Sequence, residues 1–388
     1  MSMQHQKHTK LSRPNHGTFA RNEWAIIGTP CSNIKSLAFE LTQRLSAKYK
    51  VAYVDADHKG AEEENIIGRD KNSVLAFGGK MEYTDKITFH RVDFEGTMDS
   101  FLYRQWFNDQ DLVLVNGNHF TAKNQIVVID PKKEASLQKK LDRLENVSLL
   151  LLTEGQNEIY PFLRDHLKDR QVPVLSIADT DAIADFIHQQ MELALPKVYG
   201  LVLAGGKSTR MGQDKGLIDY HGKPQREFAA DLLKPYCEQV FISCREDQLH
   251  EIDSAYELLP DTFTGLGPYG AILSAFRAYP DHAWLVIACD LPLLNQETIA
   301  FLLKNRNESK TASAFISPVN QFPEPLIAIW EPKAYPVLFQ FLAQGYSCPR
   351  KVLINSDVKL LNVPDEKTLI NVNEKADLEK ISTHLSRT

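Results

Sequence analysis

Twice along this chain a short, almost wholly apolar run with glycine at or just beyond its end opens a series of alternating strand-like and helix-like segments. The first run is Trp24-Ala25-Ile26-Ile27-Gly28, followed by Leu37, Leu41 and Leu45. The second is Val198-Tyr199-Gly200-Leu201-Val202-Leu203, followed by Ala204-Gly205-Gly206. Strands apolar on both faces fit a parallel sheet covered by helices on both sides. Further runs continue each series. In the first half they are Val51–Val54, Asp111–Val115, Gln125–Ile129, Val147–Leu152 and Val172–Leu175, closed by an amphipathic helix over Asp181–Leu195. In the second half strands are predicted at Gln239–Cys244, Tyr256–Leu259, Ala283–Ala288, Thr311–Ile316 and Leu326–Trp330. Helices are predicted there at Arg226–Tyr236, Pro268–Tyr279, Gln296–Asn305, Tyr335–Gln344 and Lys375–Leu385. A chain of 388 residues exceeds one ordinary core, so the expectation is two tandem doubly wound α/β domains. Their limits are residues 22–195 and 197–388, with Pro196 at the boundary and residues 1–21 a polar, disordered leader.

Composition narrows the function classes. A net charge of -6 without a basic stripe argues against nucleic acid as the main partner. No apolar run approaches membrane-spanning length, so no membrane partner is expected. Five cysteines with no CxxC pair suggest reduced thiols in a cytoplasmic protein, not a disulfide framework or zinc site.

The most informative segment is Leu203-Ala204-Gly205-Gly206-Lys207-Ser208-Thr209-Arg210-Met211-Gly212-Gln213-Asp214-Lys215. After the strand the chain sheds side-chain bulk, which lets phosphate oxygens or a base edge approach the backbone N–H groups. Two cations follow, Arg210 and Lys215, and convergent cations are what triphosphate transfer needs. Asp290 ends the strand Trp284–Ala288 within Cys289-Asp290-Leu291-Pro292-Leu293. There it points into the ligand crevice of an open α/β sheet, where one carboxylate plus phosphate oxygens suits magnesium; the other reading is a helix cap ahead of Pro292. Asn371 and Asn373 alternate on an extended segment and so share a face. Their amides suit a ring dense in donors and acceptors such as a pterin, or simply a turn with Asn373 as a helix cap.

Together these motifs resemble the molybdenum cofactor nucleotidyltransferases, within the nucleotide-sugar-type pyrophosphorylases. The resemblance continues through Gly222-Lys223-Pro224 and Glu227 and spans Lys197–Thr388. It implies a Rossmann-like nucleotidyltransferase of the nucleotide-diphospho-sugar transferase type. Leu-Ala-Gly-Gly accompanies GTP in that family, whereas cytidylyl and sugar relatives carry Ala-Ala-Gly, so Gly206 favours guanine. The resemblance further implies Asp290 as magnesium ligand, Asp261 as a nucleotide contact, and Asn371 and Asn373 on molybdopterin. The acceptor side also includes Glu324-Pro325-Leu326 and Arg350-Lys351. The implied reaction transfers GMP from GTP to the molybdopterin phosphate. Leu203, Ala204, Gly205 and Gly206 hold the nucleotide, while Arg210 and Lys215 stabilise charge. Two departures stand out: Gly267-Pro268-Tyr269-Gly270-Ala271 replaces Gly-Pro-Leu-Ala-Gly, and Cys244-Arg245 stands where relatives carry a nucleotide-contacting Asn.

The first half resembles the small GTP-binding partner protein of molybdopterin guanine dinucleotide synthesis. Its loop, Gly28-Thr29-Pro30-Cys31-Ser32-Asn33-Ile34-Lys35-Ser36, lacks the second glycine of a P-loop, and Asn116 stands in place of a Glu. Both losses imply a degenerate, non-hydrolysing domain. Under a carrier or scaffold reading, the first half would bind a partner such as a molybdenum insertase or apo-molybdoenzyme. The competing readings are a cytidylyltransferase for the same pterin, a sugar-1-phosphate nucleotidyltransferase, and a cofactor carrier or scaffold.

Overall fold

In the computed structural model the described residues are 17–56, 73–97, 99–206, 214–250, 252, 254–372 and 377. The expected leader, Arg210, Asn373 and the predicted helix over Lys375–Leu385 lie largely or wholly outside them. The chain divides into two compact units, one built on Arg21–Gln190 and one on Met191–Thr388 with Gly17–Ala20. The division falls within a helix, Thr180–Leu193. Pro196 sits in the second unit, where its carbonyl accepts a hydrogen bond from Arg306 Nη1 at 3.1 Å.

The first unit is a six-stranded sheet in the order β2-β5-β1-β6-β7-β8. Its strands are β1 (Asn22–Ile27), β2 (Val51–Val54), β5 (Leu112–Asn116), β6 (Asn124–Ile129), β7 (Val147–Leu152) and β8 (Val174–Ser176). Every pairing in it is parallel. Helix α1 (Cys31–Leu45) buries the stripe Ile34, Leu37, Ala38, Leu41 and Leu45, the spacing of one helical face. A separate hairpin, β3 (Met81–Asp85) with β4 (His90–Phe94), was not anticipated.

The second unit is a seven-stranded sheet in the order β11-β10-β9-β12-β14-β13-β15. Its strands are β9 (Val198–Leu203), β10 (Gln239–Cys244), β11 (Glu257–Pro260), β12 (Ala283–Ala288), β13 (Ala312–Ile316), β14 (Pro323–Trp330) and β15 (Val358–Leu361). Helices α2 (Gln225–Leu233) and α3 (Gln296–Lys304) cover one face; α4 (Pro268–Ala278) and α5 (Ala334–Ala343) cover the other. Strand β12 shows why its sequence is continuous: Leu285 and Ile287 pack into one cluster, and Trp284 and Val286 into the opposite one. All six of its residues are buried. Strand β14 is antiparallel to both neighbours, β12 and β13, so this sheet is mixed where the βα alternation suggested a parallel one. It is still covered by helices on both faces.

Candidate functional site

Strands β9, β10 and β12 run parallel at the centre of the second sheet, so their carboxyl ends open on one edge. Ligand crevices of open α/β sheets lie at that edge. A cleft of about 340 Å³ occupies it, lined among others by Leu203, Ala204, Gly205, Gly206, Lys215, Ser243, Asp261 and Asp290. Most residues that the sequence proposes for nucleotide, metal and catalysis therefore share one cavity. Arg210 lies outside the described residues and is not placed.

Lys215 opens a short 3-10 turn whose position Asp214 fixes by accepting the Gly216 N–H at 2.9 Å. From that turn Lys215 Nζ reaches Asp290 Oδ2 at 3.3 Å. The two side chains are 18% and 23% exposed, so both still face the cleft. Asp290 does not cap the next helix; that role belongs to Asn295, which accepts from Thr298 N. Its own carbonyl accepts from Val372 N at 2.9 Å, which draws the Asn371 segment alongside the carboxylate. Asn371 itself is exposed and is not among the cleft lining; Asn373 is not described. The proposed acceptor side is partly paired internally. Arg350 Nη2 donates to Glu324 Oε2 at 2.8 Å and Arg350 Nε to the Pro323 carbonyl, while Leu326 lines the cleft.

Asp261 follows β11 and is anchored by its N–H to the Cys244 carbonyl at 2.9 Å. Burial pushes its carboxyl up to about 6, against the hydrogen bond from Ser243 Oγ (3.0 Å) and the nearby Arg245 charge. Ser243 escaped the sequence reading, although a hydroxyl inside Val240-Phe241-Ile242-Ser243 was the legible signal. The departure at Cys244-Arg245 gains a structural account: Arg245 Nη1 donates to the Gly205 carbonyl at 3.0 Å and pins the glycine loop. The shifted turn at Gly270 has one too. A Cβ there would stand 2.1 Å from the Phe263 carbonyl oxygen, so only glycine lets the loop after Asp261 close onto α4.

The elevated Asp261 acid yields a stability prediction. The folded state holds its proton up to about pH 6 while the unfolded chain releases it near 3.8, so ionisation costs stability as pH rises through that window. Asp261→Asn keeps an acceptor for Ser243 and carries no charge. We expect it to raise the ligand-free stability at pH 7.5 by about 1–3 kcal/mol, discounted for water in the open cleft. The gain disappears near pH 4. Thermal unfolding at the two pH values checks this, and an equal change at both would refute it.

In the first unit Thr29, in the loop after β1, and Asn116, at the end of β5, are both paired within the unit. Thr29 Oγ1 donates to Asp130 Oδ2 at 2.7 Å, and Asn116 Nδ2 donates to Asp55 Oδ1 at 2.7 Å. Lys35 lies 5.7 Å from the Phe39 ring centroid. Gly28, at φ +98°, has its Cβ position 2.3 Å from the Val128 carbonyl oxygen, so close approach to β6 accounts for it.

The comparisons with known proteins concern the second half of the chain. Residues 200–359 match the family described as MobA-like NTP transferase domain. A molybdenum cofactor biosynthesis bifunctional protein of Synechocystis sp. is 37% identical over 188 residues, covering 48% of this chain and 54% of that protein. The chain thus spans about half the length of that relative. A molybdenum cofactor guanylyltransferase of Pseudomonas putida is 32% identical over 197 residues, covering 48% of this chain and 98% of that enzyme. One from Pseudomonas entomophila is 30% identical over 171 residues, covering 43% and 87%. With the Pseudomonas putida enzyme matched along nearly its whole length, the chain belongs through its second half to the molybdenum cofactor guanylyltransferase family.

Proposed function

We propose that the second half transfers GMP from GTP to the phosphate of molybdopterin, giving molybdopterin guanine dinucleotide and pyrophosphate. The observation that carries this reading is the convergence of Lys215, Asp290, Asp261 and the Leu203–Gly206 backbone on one cleft. An oxygen of the molybdopterin phosphate attacks the α-phosphorus of GTP, and the bond from that phosphorus to the bridging oxygen of pyrophosphate breaks. Lys215 holds the charge that builds on the phosphoryl oxygens, a preorganised electrostatic role. The Leu203–Gly206 backbone and Asp261 seat the nucleoside, with Ser243 and Arg245 keeping the carboxylate and the glycine loop in place. Gly206 supports guanine over cytosine through the family resemblance.

The donor set fits a magnesium ion. One partly exposed carboxylate, Asp290, stands at the strand end beside a cation that phosphates could draw away, and magnesium takes its remaining ligands from phosphate and water. Bound there, magnesium would neutralise charge on the departing pyrophosphate. For the first half we keep the reading of a degenerate P-loop domain without hydrolysis, supported by its internally paired Thr29 and Asn116.

Pyrophosphate release tests the reaction directly. With magnesium and molybdopterin, we expect GTP to exceed CTP, ATP and UTP in kcat/KM by about tenfold or more, and release to require the pterin. Preference for CTP would transfer the chain to cytidylyl chemistry. Release driven by a sugar phosphate would replace the acceptor, and no release with any acceptor would favour the carrier reading.

A further inference from the structure

The first turn of α2 carries a charge that the scheme above leaves without a task. Arg226 is 6% exposed. Its Nε is fully buried and has no hydrogen-bond acceptor. Among the described residues its guanidinium makes no hydrogen bond or ion pair. Neighbouring Glu227 does not neutralise it: its own Oε1 is likewise buried without a partner, and the residue lines a different groove with Lys223 and Asp231. Folded proteins leave few buried polar atoms unpaired, and a buried charge stripped of its partner is strongly destabilising. Among the described residues nothing partners this Nε, which leaves the guanidinium available to an anion brought by a ligand.

The place of Arg226 says which anion. A Cβ position on Gly216 lies 3.5 Å from both Cβ and Cδ of Arg226, so the stem runs past the turn that presents Lys215. Its charge also reaches the Cys244 thiol at the end of β10, opposing the upward push of burial there. Cys244 is next to the cleft residue Ser243, and its carbonyl carbon lies 3.4 Å from a Cβ position on Gly205. The stem thus packs on the turn that presents Lys215, and its charge is felt at the strand end that carries Ser243; Arg226 stands behind the residues that line the cleft and is not itself among them. A permanently charged, planar fork of donors matches phosphate oxygens.

We propose that Arg226 is a further phosphate-binding residue of this cleft, taking the polyphosphate tail of the nucleoside triphosphate beside Lys215. The proposal rests on the nucleotide reading of the cleft, yet it is testable with an anion that has no nucleoside. The probe is inorganic tripolyphosphate, titrated by calorimetry and thermal unfolding into the full chain, Arg226→Gln and Arg226→Lys. Without ligand, Arg226→Gln is expected to unfold at or above the wild-type temperature, because a buried unpaired charge has been removed. With tripolyphosphate its Kd is expected to weaken about tenfold or more, and Arg226→Lys to recover part of that loss, having charge without the fork. KM for GTP should rise in parallel.

A structural brace predicts the reverse pattern. Unchanged tripolyphosphate affinity in Arg226→Gln, or no tripolyphosphate binding by the wild type, overturns the proposal. Arg226-dependent binding of tripolyphosphate by a chain that cannot use GTP would leave the anion site standing and remove only the guanylyl reading.

Discussion

Replacing Asp290 with alanine is expected to lower GTP turnover about a thousandfold while leaving the fold intact. The carboxylate stands at the end of the central strand β12, on the cleft floor, with Lys215 Nζ at 3.3 Å. No cluster of three or more His, Cys, Asp or Glu side chains able to hold a metal occurs among the described residues. Under the proposed reaction, a metal in this cleft would take Asp290 together with oxygens that the triphosphate brings. Losing the carboxylate should abolish the magnesium dependence of turnover and not merely shift it. Stability should change little, because the pair is part-exposed and such pairs contribute about 0–1 kcal/mol. Asp290→Asn separates charge from shape, and we expect it to be nearly as slow as alanine. Turnover within about threefold of wild type, with an unchanged magnesium titration, would remove Asp290 from the chemistry.

The central strands of this fold are written plainly in the sequence, and the reason is burial. Strands β10 and β12 occupy Gln239–Cys244 and Ala283–Ala288 as expected, since a strand covered on both faces must be apolar at every position. Direction is not written in that way. From Leu326 to Trp330 β14 is as apolar as β12 but runs antiparallel to it, and nothing local in Leu326–Trp330 distinguishes the two choices. The hairpin β3–β4 was illegible for the opposite reason: Met81, Tyr83 and Phe89 are exposed, so burial imposes no pattern there. Short elements such as the helix Pro349–Ile354 and strand β15 offer too few residues for a period to emerge.

The site was legible where chemistry restricts residue type. Small residues after β9, a lysine on a turn and an aspartate at a strand end have few alternative explanations together. Partners that act through geometry were hidden. Arg245 reads as a surface arginine until its bond to Gly205 is seen. Ser243 becomes meaningful only beside Asp261. Arg226 sits in an ordinary polar stretch, and only its burial makes the charge a question. Pairing of Arg350 with Glu324 likewise depends on two elements far apart in sequence.

Lys215→Met carries the second large effect, and its two consequences have opposite signs. Turnover of GTP should fall about a hundredfold, because a preorganised cation facing the transferring phosphoryl group is lost. Lys215→Arg should recover little, since the turn capped by Asp214 fixes the backbone and a planar fork does not reproduce a compact ammonium. Without nucleotide, however, Lys215 Nζ stands 3.3 Å from Asp290 Oδ2, the oxygen that the proposed metal ion would take, so the two would compete. Removing that competitor should tighten magnesium binding by about three- to tenfold, a modest gain because the pair is part-solvated. Combining Lys215→Met with Asp290→Ala should cost much less than the product of the two single losses, as residues in contact are not additive. Magnesium titration of the nucleotide-free chain beside single-turnover rates separates the possibilities. Weaker metal binding in Lys215→Met would mean that the lysine positions Asp290 for the metal. Tighter binding with slower chemistry would mean that Lys215 holds the carboxylate only until phosphate arrives, and then acts on the phosphate.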